Sequence, residues 1–347
     1  FFRAFLTQDI DYNQFYSTMP LPKAYEILRR YYEGMGEGYV SSDATSLLRA
    51  HPANPNGLGK MNVIILVQES LGAQYVGAYG SQRNLTPFLD SLSKESLMFS
   101  NAYATGTRTV RGLEAMSASF PPIPSESIVK RPGSDNISTM GVVMRSHGYH
   151  TSFLYGGYGA FDSMNDYFGS NGFSLSDRLD IKNPNFGNIW GVSDEDLYRH
   201  AIAYFDDLSG SGKGPFFSYV LSTSNHKPFT FPPGIPGVKE KGGGRDAGVR
   251  YADYAIGKFF EAAKTKSWFS NTIVVVIADH DSRVYGRAYV PVDRYRIPAL
   301  VYAPGKIAPQ VVSKMFSSMD LGPTLLGLLG LSYETPFYGV DVLSDRV

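Results

Sequence analysis

From residue 61 onward, two kinds of apolar pattern alternate along the chain. Residues 62–67 open with Asn and then run Val-Ile-Ile-Leu-Val, the unbroken apolar stretch that a strand buried on both faces requires. Residues 149–155, 215–221 and 272–278 read the same way, and 300–303 reads as a short further strand. Between them lie stretches with apolar residues every three or four positions, the period of a helix with one buried face. Thr86-Pro87 opens one of these, with Thr86 expected as its cap and Leu85, Phe88, Leu89 and Leu92 as its inner stripe. Others cover 140–147, 194–208 (with Leu197, Ala201, Tyr204 and Phe205 on one side), 247–264 and 320–329. This alternation predicts an α/β fold: three layers, α/β/α, around a mostly parallel central sheet.

The first 60 residues read differently. Residues 21–32 place Ala24, Ile27, Leu28 and Tyr31 at helical spacing, and 51–59 has the Pro, Asn and Gly content of a linker. The expected division is an N-terminal helical arm and linker over 1–60 and one catalytic domain over 61–347. Residues 234–248, which include Gly242, Gly243 and Gly244, are expected as a surface loop. No stretch reaches the roughly 18–20 apolar residues of a membrane-crossing helix. No signal-peptide pattern is present. The chain opens at Phe1, and it is expected to be a piece of a longer protein.

Composition narrows the chemistry. With no cysteine among 347 residues, disulfides, iron–sulfur clusters and thiolate zinc sites are excluded. Lys and Arg together number 32, as do Asp and Glu, so the basic excess of a nucleic-acid-binding protein is missing. Many Gly, Pro, Tyr and Phe suit a loop-rich enzyme acting on a polar or amphiphilic substrate.

In open α/β sheets, ligands bind beyond the carboxyl ends of the strands. The strand at 62–67 is followed by Gln68-Glu69-Ser70, the one at 215–221 by Ser222-Thr-Ser-Asn-His-Lys227, and the one at 272–278 by Asp279-His280-Asp281. Three strands thus deliver Glu, His and an Asp-His pair to one edge, a mixed oxygen and nitrogen set suited to Mn²⁺ or Zn²⁺ more than to Ca²⁺. The loop 104–112 adds hydroxyls and two arginines, Arg108 and Arg111. Each feature alone has a plain structural explanation. Glu69 could be a cap, His226 a solvated loop residue, and Thr107 and Thr109 capping hydroxyls. Their arrival at successive strand ends is what singles them out. His51, His147, His150 and His200 are read as structural.

Four motifs, Val67-Gln-Glu-Ser70, Tyr103-Ala-Thr-Gly-Thr-Arg-Thr-Val-Arg-Gly-Leu-Glu-Ala115, Thr223-Ser-Asn-His-Lys-Pro-Phe229 and Ile277-Ala-Asp-His280, occur in the order of the alkaline phosphatase/sulfatase superfamily. More closely, from about residue 61 to the end, the chain resembles the extracellular catalytic domain of lipoteichoic acid synthases and their Gram-negative phosphoglycerol transferase relatives. The resemblance implies that Glu69, Asp279 and His280 bind one divalent ion, Mn²⁺ first, with Zn²⁺ or Mg²⁺ as alternatives. It implies a threonine nucleophile that also touches the ion: Thr109, with Thr107 as the alternative. His226 takes the family's phosphate-side position, and Arg108, Arg111, Asn225, Lys227, Tyr155 and Arg283 make up the expected substrate-binding set.

The implied reaction has two steps. Thr109 takes the head group from phosphatidylglycerol, diacylglycerol leaves, and a periplasmic glucan or other glycan collects the group from a phospho-threonine. The implied place is the periplasmic face of the inner membrane, reached through an N-terminal membrane region outside this sequence; no nucleic-acid partner is expected. Where Gram-positive synthases carry a His, a Trp and an Arg to grip glycerol phosphate, this chain has Tyr155, Asp162 and Met164, so polymerisation is not expected. Sulfatases need a Cys or Ser for formylglycine in a Cys/Ser-x-Pro-x-Arg motif, which the nucleophile loop lacks. Phosphoethanolamine transferases share the threonine but are disulfide-rich. A phosphoethanolamine transferase or phosphodiesterase on this fold is the alternative enzyme, and a catalytically silent glycan-binding or sensor domain is the alternative of another class.

Overall fold

The apolar runs become the middle of a sheet. In the computed structural model, which describes residues 10–239, 242–282, 288 and 290–344, the strands in chain order are β1 (Gly38–Tyr39), β2 (Arg49–His51), β3 (Asn62–Gln68), β4 (Leu97–Tyr103), β5 (His150–Tyr155), β6 (Ser174–Ser176), β7 (Phe216–Leu221), β8 (Thr272–Ala278), β9 (Ala299–Tyr302), β10 (Gln310–Ser317) and β11 (Tyr333–Thr335). The longer helices are α1 (Leu21–Gly34), α2 (Pro87–Leu92), α3 (Thr109–Ala118), α4 (Met140–Ser146), α5 (Met164–Ser170), α6 (Asp194–Gly210), α7 (Gly244–Ala263) and α8 (Leu321–Leu329).

Eight strands form one sheet in the order β10-β4-β9-β8-β3-β7-β5-β6. Every residue of β3, β7 and β8 is buried, as a strand covered on both faces must be. β3 pairs in parallel with β7 and β8, and β5 with β7 and β6. β9 alone reverses, antiparallel to β8 and β4. Helix α6 lies on β5 and β7 and packs against α7, while α3 packs with α4 and α8. This is the expected α/β architecture with a mostly parallel sheet. None of the described helices is long and apolar enough to cross a membrane.

Two local expectations change. Thr86 does not cap α2; its hydroxyl bonds the Gly77 N–H and Asp90 instead. The cap comes from another helix: the Asp253 carboxylate on α7 accepts the N–H groups of Phe88 and Leu89 at 2.9 and 2.8 Å. Residues 51–59, expected as a linker, are docked. His51 ends β2 and stacks on Tyr333 with ring centroids 4.3 Å apart. Leu58 and Gly59 donate to the carbonyls of Leu328 and Leu329 at 2.8 and 3.0 Å. The expected loop at 234–248 gives way to α7 at Gly244.

Strands β1, β2 and β11 make a small antiparallel sheet that joins the N-terminal segment to the C-terminal part of the chain. Its anchor is Arg49, whose side chain is 1% exposed. The guanidinium lies 3.7 Å over the Tyr32 ring, pairs with Glu37, and bonds the carbonyls of Leu47 and Phe337. Removing one partner of a buried ion pair strands the other, at a cost of about 3–5 kcal/mol. Arg49→Ala is therefore expected to lower stability by about that amount, read as a drop in the urea-unfolding midpoint. An unchanged midpoint would show that this segment is not held as the structure describes.

Candidate metal centre

Register sets the centre. Gln68 at the end of β3 lies beside Ala278 at the end of β8, so the turns beyond them leave the sheet at one level. Ser70 sits in the left-handed region at φ 52°, which turns the chain sharply after Glu69. That turn is tied down on three sides. Ser222 Oγ accepts the Glu69 N–H at 3.0 Å. Asn225 Nδ2 donates to the carbonyls of Glu69 and Ser70 at 3.0 and 3.2 Å, and Arg245 donates to the Ser70 carbonyl at 3.2 Å. Asp279 Oδ1 accepts the Ser70 N–H at 2.8 Å.

The result is a buried cluster of Glu69, Asp279 and His280, each offering one ligand atom, with those atoms within 4.8 Å of one another. The His280 Nδ1–H donates to the Asp281 carbonyl at 2.6 Å, which leaves Nε2 as the lone-pair nitrogen. That nitrogen lies 3.5 Å from Asp279 Oδ2 and 3.9 Å from Glu69 Oε1. Asp279 Oδ2 is buried and has no hydrogen-bond partner among the described residues. Two buried carboxylates, an imidazole lone pair and an orphaned carboxylate oxygen are a donor set that fits a divalent cation.

Titration follows from the crowding. Burial, reinforced by the Glu69 charge, pushes the Asp279 carboxyl up to about 7. Burial also acts on Glu69, but the His280 imidazole and the Ser70 hydroxyl outweigh it and hold that carboxyl below its ordinary range. For His280, burial is overcome by Asp279 and Glu69, and its pKa rises.

Thr109 begins α3, and its hydroxyl donates to Glu69 Oε2 at 3.1 Å. Thr107 lies outside the helix and is exposed. Helix α3 comes this close because residue 112 is glycine: a Cβ there would fall 2.5 Å from the Asp279 carbonyl oxygen and 2.9 Å from its Cα. His226 is half-buried, and its charge is close enough to lower the Glu69 pKa. Its Nδ1 donates to the Lys227 carbonyl at 3.1 Å, and its ring packs on Trp190 with centroids 3.8 Å apart.

The remaining expected site residues divide. Tyr155 is buried, and burial together with the Glu69 and Asp279 charges raises its phenol pKa, so it stays a hydroxyl beside the cluster. Arg108 is exposed at the N-cap of α3, and Lys227 is exposed next to His226. Arg111 and Asn225 have structural partners. Arg111 is taken up by structure: it pairs with Glu114 at 2.7 Å and bonds the carbonyls of Ile123 and Ser125. Asn225 is buried, and its Nδ2 positions the Glu69–Ser70 turn. Arg283 lies outside the described residues.

Sequence reasoning passed over Ser222 and Asp194 as participants. Asp194 Oδ1 accepts the N–H groups of Thr223 and Ser224, both at 3.0 Å, and so shapes the loop that carries His226. An acidic residue in the first turn of a helix reads as a dipole partner, which hid this role.

The sulfatase family model matches residues 61–331. The chain belongs to the sulfatase family. Its fold is that of the alkaline phosphatase superfamily: the crystal structure of a protein of that superfamily from Vibrio parahaemolyticus superposes with a TM-score of 0.88 at 40% identity, over 95% of this chain and 80% of the other. The lipoteichoic acid synthase LtaP from Listeria monocytogenes superposes with a TM-score of 0.76 at 21% identity, over 91% of this chain and 81% of that one. In sequence, the chain is 25% identical over 323 residues to the lipoteichoic acid synthase-like protein YvgJ of Bacillus subtilis (strain 168), covering 84% of this chain and 51% of that protein. It spans about half the length of the curated relatives it matches.

Two measurements test this geometry. Asp279 is pushed up to about 7 and the His280 pKa is raised by the neighbouring carboxylates, so a cation must displace protons from both at lower pH. Mn²⁺ affinity measured by titration calorimetry should therefore rise as pH increases from about 6 to about 8, with proton release falling over the same window; a flat profile would remove Asp279 and His280 as ligands. Gly112→Ala should cost about 1–3 kcal/mol through overpacking. It should also weaken Mn²⁺ binding, because Asp279 or α3 has to move.

Proposed function

We propose that this chain is the catalytic unit of a metal-dependent phosphoglycerol transferase that works through a phospho-threonine. The observation that carries the reading is the Thr109 hydroxyl at the start of α3, hydrogen-bonded to Glu69 within the Glu69, Asp279 and His280 cluster. Those three residues, with Thr109, would hold one divalent ion, which when bound lowers the pKa of a hydroxyl and neutralises phosphoryl charge.

The protein's own groups supply the rest. The hydrogen bond to Glu69 directs the Thr109 hydrogen away and leaves an oxygen lone pair for phosphorus. The N–H groups of Thr109 and Val110 precede the first bonds of α3, which Arg111 and Gly112 make to the Arg108 carbonyl, and they favour the anionic phosphoryl oxygens. Tyr155, un-ionised, is a hydroxyl donor for the same anion. His226, with Nδ1–H fixed on the Lys227 carbonyl, presents Nε2 to protonate the departing alkoxide, and then to take the proton of the incoming acceptor hydroxyl. Positioning and charge neutralisation are what phosphoryl transfer chiefly needs.

The likeness to lipoteichoic acid synthases supports phosphatidylglycerol as donor, with diacylglycerol as leaving group and a glycan as acceptor. The resemblance of the four motifs to Gram-negative phosphoglycerol transferases supports a place at the periplasmic face of the inner membrane. Threonine in place of Cys or Ser at the nucleophile, in a chain without cysteine, is consistent with phosphoryl transfer and not with a formylglycine sulfatase.

The test uses labelled phosphatidylglycerol vesicles and measures diacylglycerol release. Thr109→Ala should reduce it by about 10³-fold or more, as loss of a nucleophile does in other enzymes. Chelation should abolish it and added Mn²⁺ restore it. Mass spectrometry of the Thr109 peptide separates a phosphoglycerol adduct from a phosphoethanolamine adduct. Full activity in Thr109→Ala would end the proposal.

A further inference from the structure

Three aromatic side chains stand in the loops near His226, and one of them, Trp190, packs on its ring. Tyr158 is 41% exposed and Phe161 is 51% exposed. Trp190 packs edge-on against Phe161 at 6.0 Å and against the His226 ring at 3.8 Å. They come from two loops, one leaving β5 and one between β6 and α6, and the frame that presents them is rigid. Gly157 and Gly191 form a β-bridge, and a Cβ on Gly191 would meet the Gly156 carbonyl oxygen at 2.2 Å. Arg178 donates to the Asn188 carbonyl at 2.6 Å and covers the Tyr158 ring at 4.8 Å. Trp190 Nε1 donates to the Lys227 carbonyl, which ties this frame to the His226 loop.

Holding Phe161 there is costly. Asp162 and Ser163 both adopt left-handed backbone, φ 53° and 57°, and each such residue costs of the order of 1–3 kcal/mol. An exposed ring on a strained turn, continuous through Trp190 with the His226 ring, points to a ligand-binding surface.

We propose that Phe161 and Trp190, set nearly at right angles, form an angled stacking shelf for a sugar ring, the pyranose of an oligosaccharide, flanked by Tyr158 of the Phe161 loop, and that this shelf presents an acceptor hydroxyl to His226. The flat apolar ring faces match the C–H face of a pyranose. The Tyr158 hydroxyl and the Arg178 guanidinium supply polar partners at the rim. An acyl chain would need a continuous apolar groove, and here the Lys130–Asp162 ion pair, at 3.2 Å, interrupts the surface. The acceptor role rests on the transferase reading; the sugar binding does not.

The chain has two tryptophans, and Trp268 is 4% exposed, so sugar-dependent change in emission reports on Trp190. Titration with maltohexaose and with a β-linked gluco-oligosaccharide should give a saturable shift with at least one of them, and the shift should persist in Trp268→Phe. Binding should weaken about tenfold in Tyr158→Ala and in Phe161→Ala, both surface changes, and Phe161→Tyr should keep it. In the transfer assay, the ratio of glycan-linked to free phosphoglycerol should fall by a similar factor. Equal affinity in Phe161→Ala, silence with both sugars, or a response only to phosphatidylglycerol vesicles would overturn the shelf. Diacylglycerol release without sugar binding sinks the shelf and leaves the Thr109 reading standing. Sugar binding without diacylglycerol release supports the shelf and sinks the transferase reading.

Discussion

Asp279 Oδ1 accepts two backbone N–H groups, from Ser70 at 2.8 Å and from His280 at 2.7 Å, and so joins the turns that leave two neighbouring parallel strands. Glu69 and His280 then face each other because β3 and β8 end in register, not because a flexible loop finds them. The same two bonds fix the carboxylate plane and leave Oδ2 aimed into the cluster without a partner among the described residues. Helix α3 reaches that carboxylate only across the bare backbone of Gly112. Ligand position, helix approach and the Thr109 hydroxyl thus all depend on how one aspartate is held.

Holding it there works against stability. Two carboxylates and an imidazole are taken out of water within a few ångströms of one another, which costs free energy unless charge is matched. Without a cation the cluster matches it with protons, and the pKa values show how: Asp279 is pushed up to about 7, His280 is raised, and Glu69 is kept ionised. The surrounding groups limit the remaining strain by satisfying the backbone. Ser222, Asn225 and Arg245 occupy the Glu69–Ser70 turn, and Asp194 occupies the loop after β7. These residues do not touch the cluster's ligand atoms. They offset part of the cost of its geometry.

The parts of this site that the sequence discloses are those where residue type and element boundary coincide. Buried strands announce themselves by apolar runs, and the residues just after them must lie at the sheet edge, so Glu69, Asp279 and His280 can be read directly. Strands β4 and β10 cannot. β10 is an edge strand with an exposed face, and Lys314 and Ser313 within it blur the pattern. Caps supplied from a distance are equally silent: Asp253 holds α2 across a long stretch of chain, and Thr86 merely resembles a cap. Polar residues are silent in the same way. Arg111 and Asn225 lie next to reactive positions in sequence, yet their hydrogen bonds go to Glu114 and to the Glu69–Ser70 carbonyls. Adjacency along the chain does not say which way a side chain's bonding capacity is used.

The choice between two threonines shows what local structure adds. Thr107 precedes the helix and is exposed, whereas Thr109 is its first residue, after Arg108 in extended backbone at φ −140°. A threonine one position earlier, at the cap, would turn its oxygen back to the helix amides. At the first helical position the hydroxyl is released from that duty, and it bonds Glu69 instead. The β-branched side chain is stiff about its first torsion, so the oxygen has few other places to go. The Thr109 and Val110 amides beside it precede the first bonds of the helix, which Arg111 and Gly112 make to the Arg108 carbonyl at 2.9 and 3.2 Å. One residue's shift along the chain therefore separates a capping hydroxyl from one that bonds Glu69 in the buried cluster.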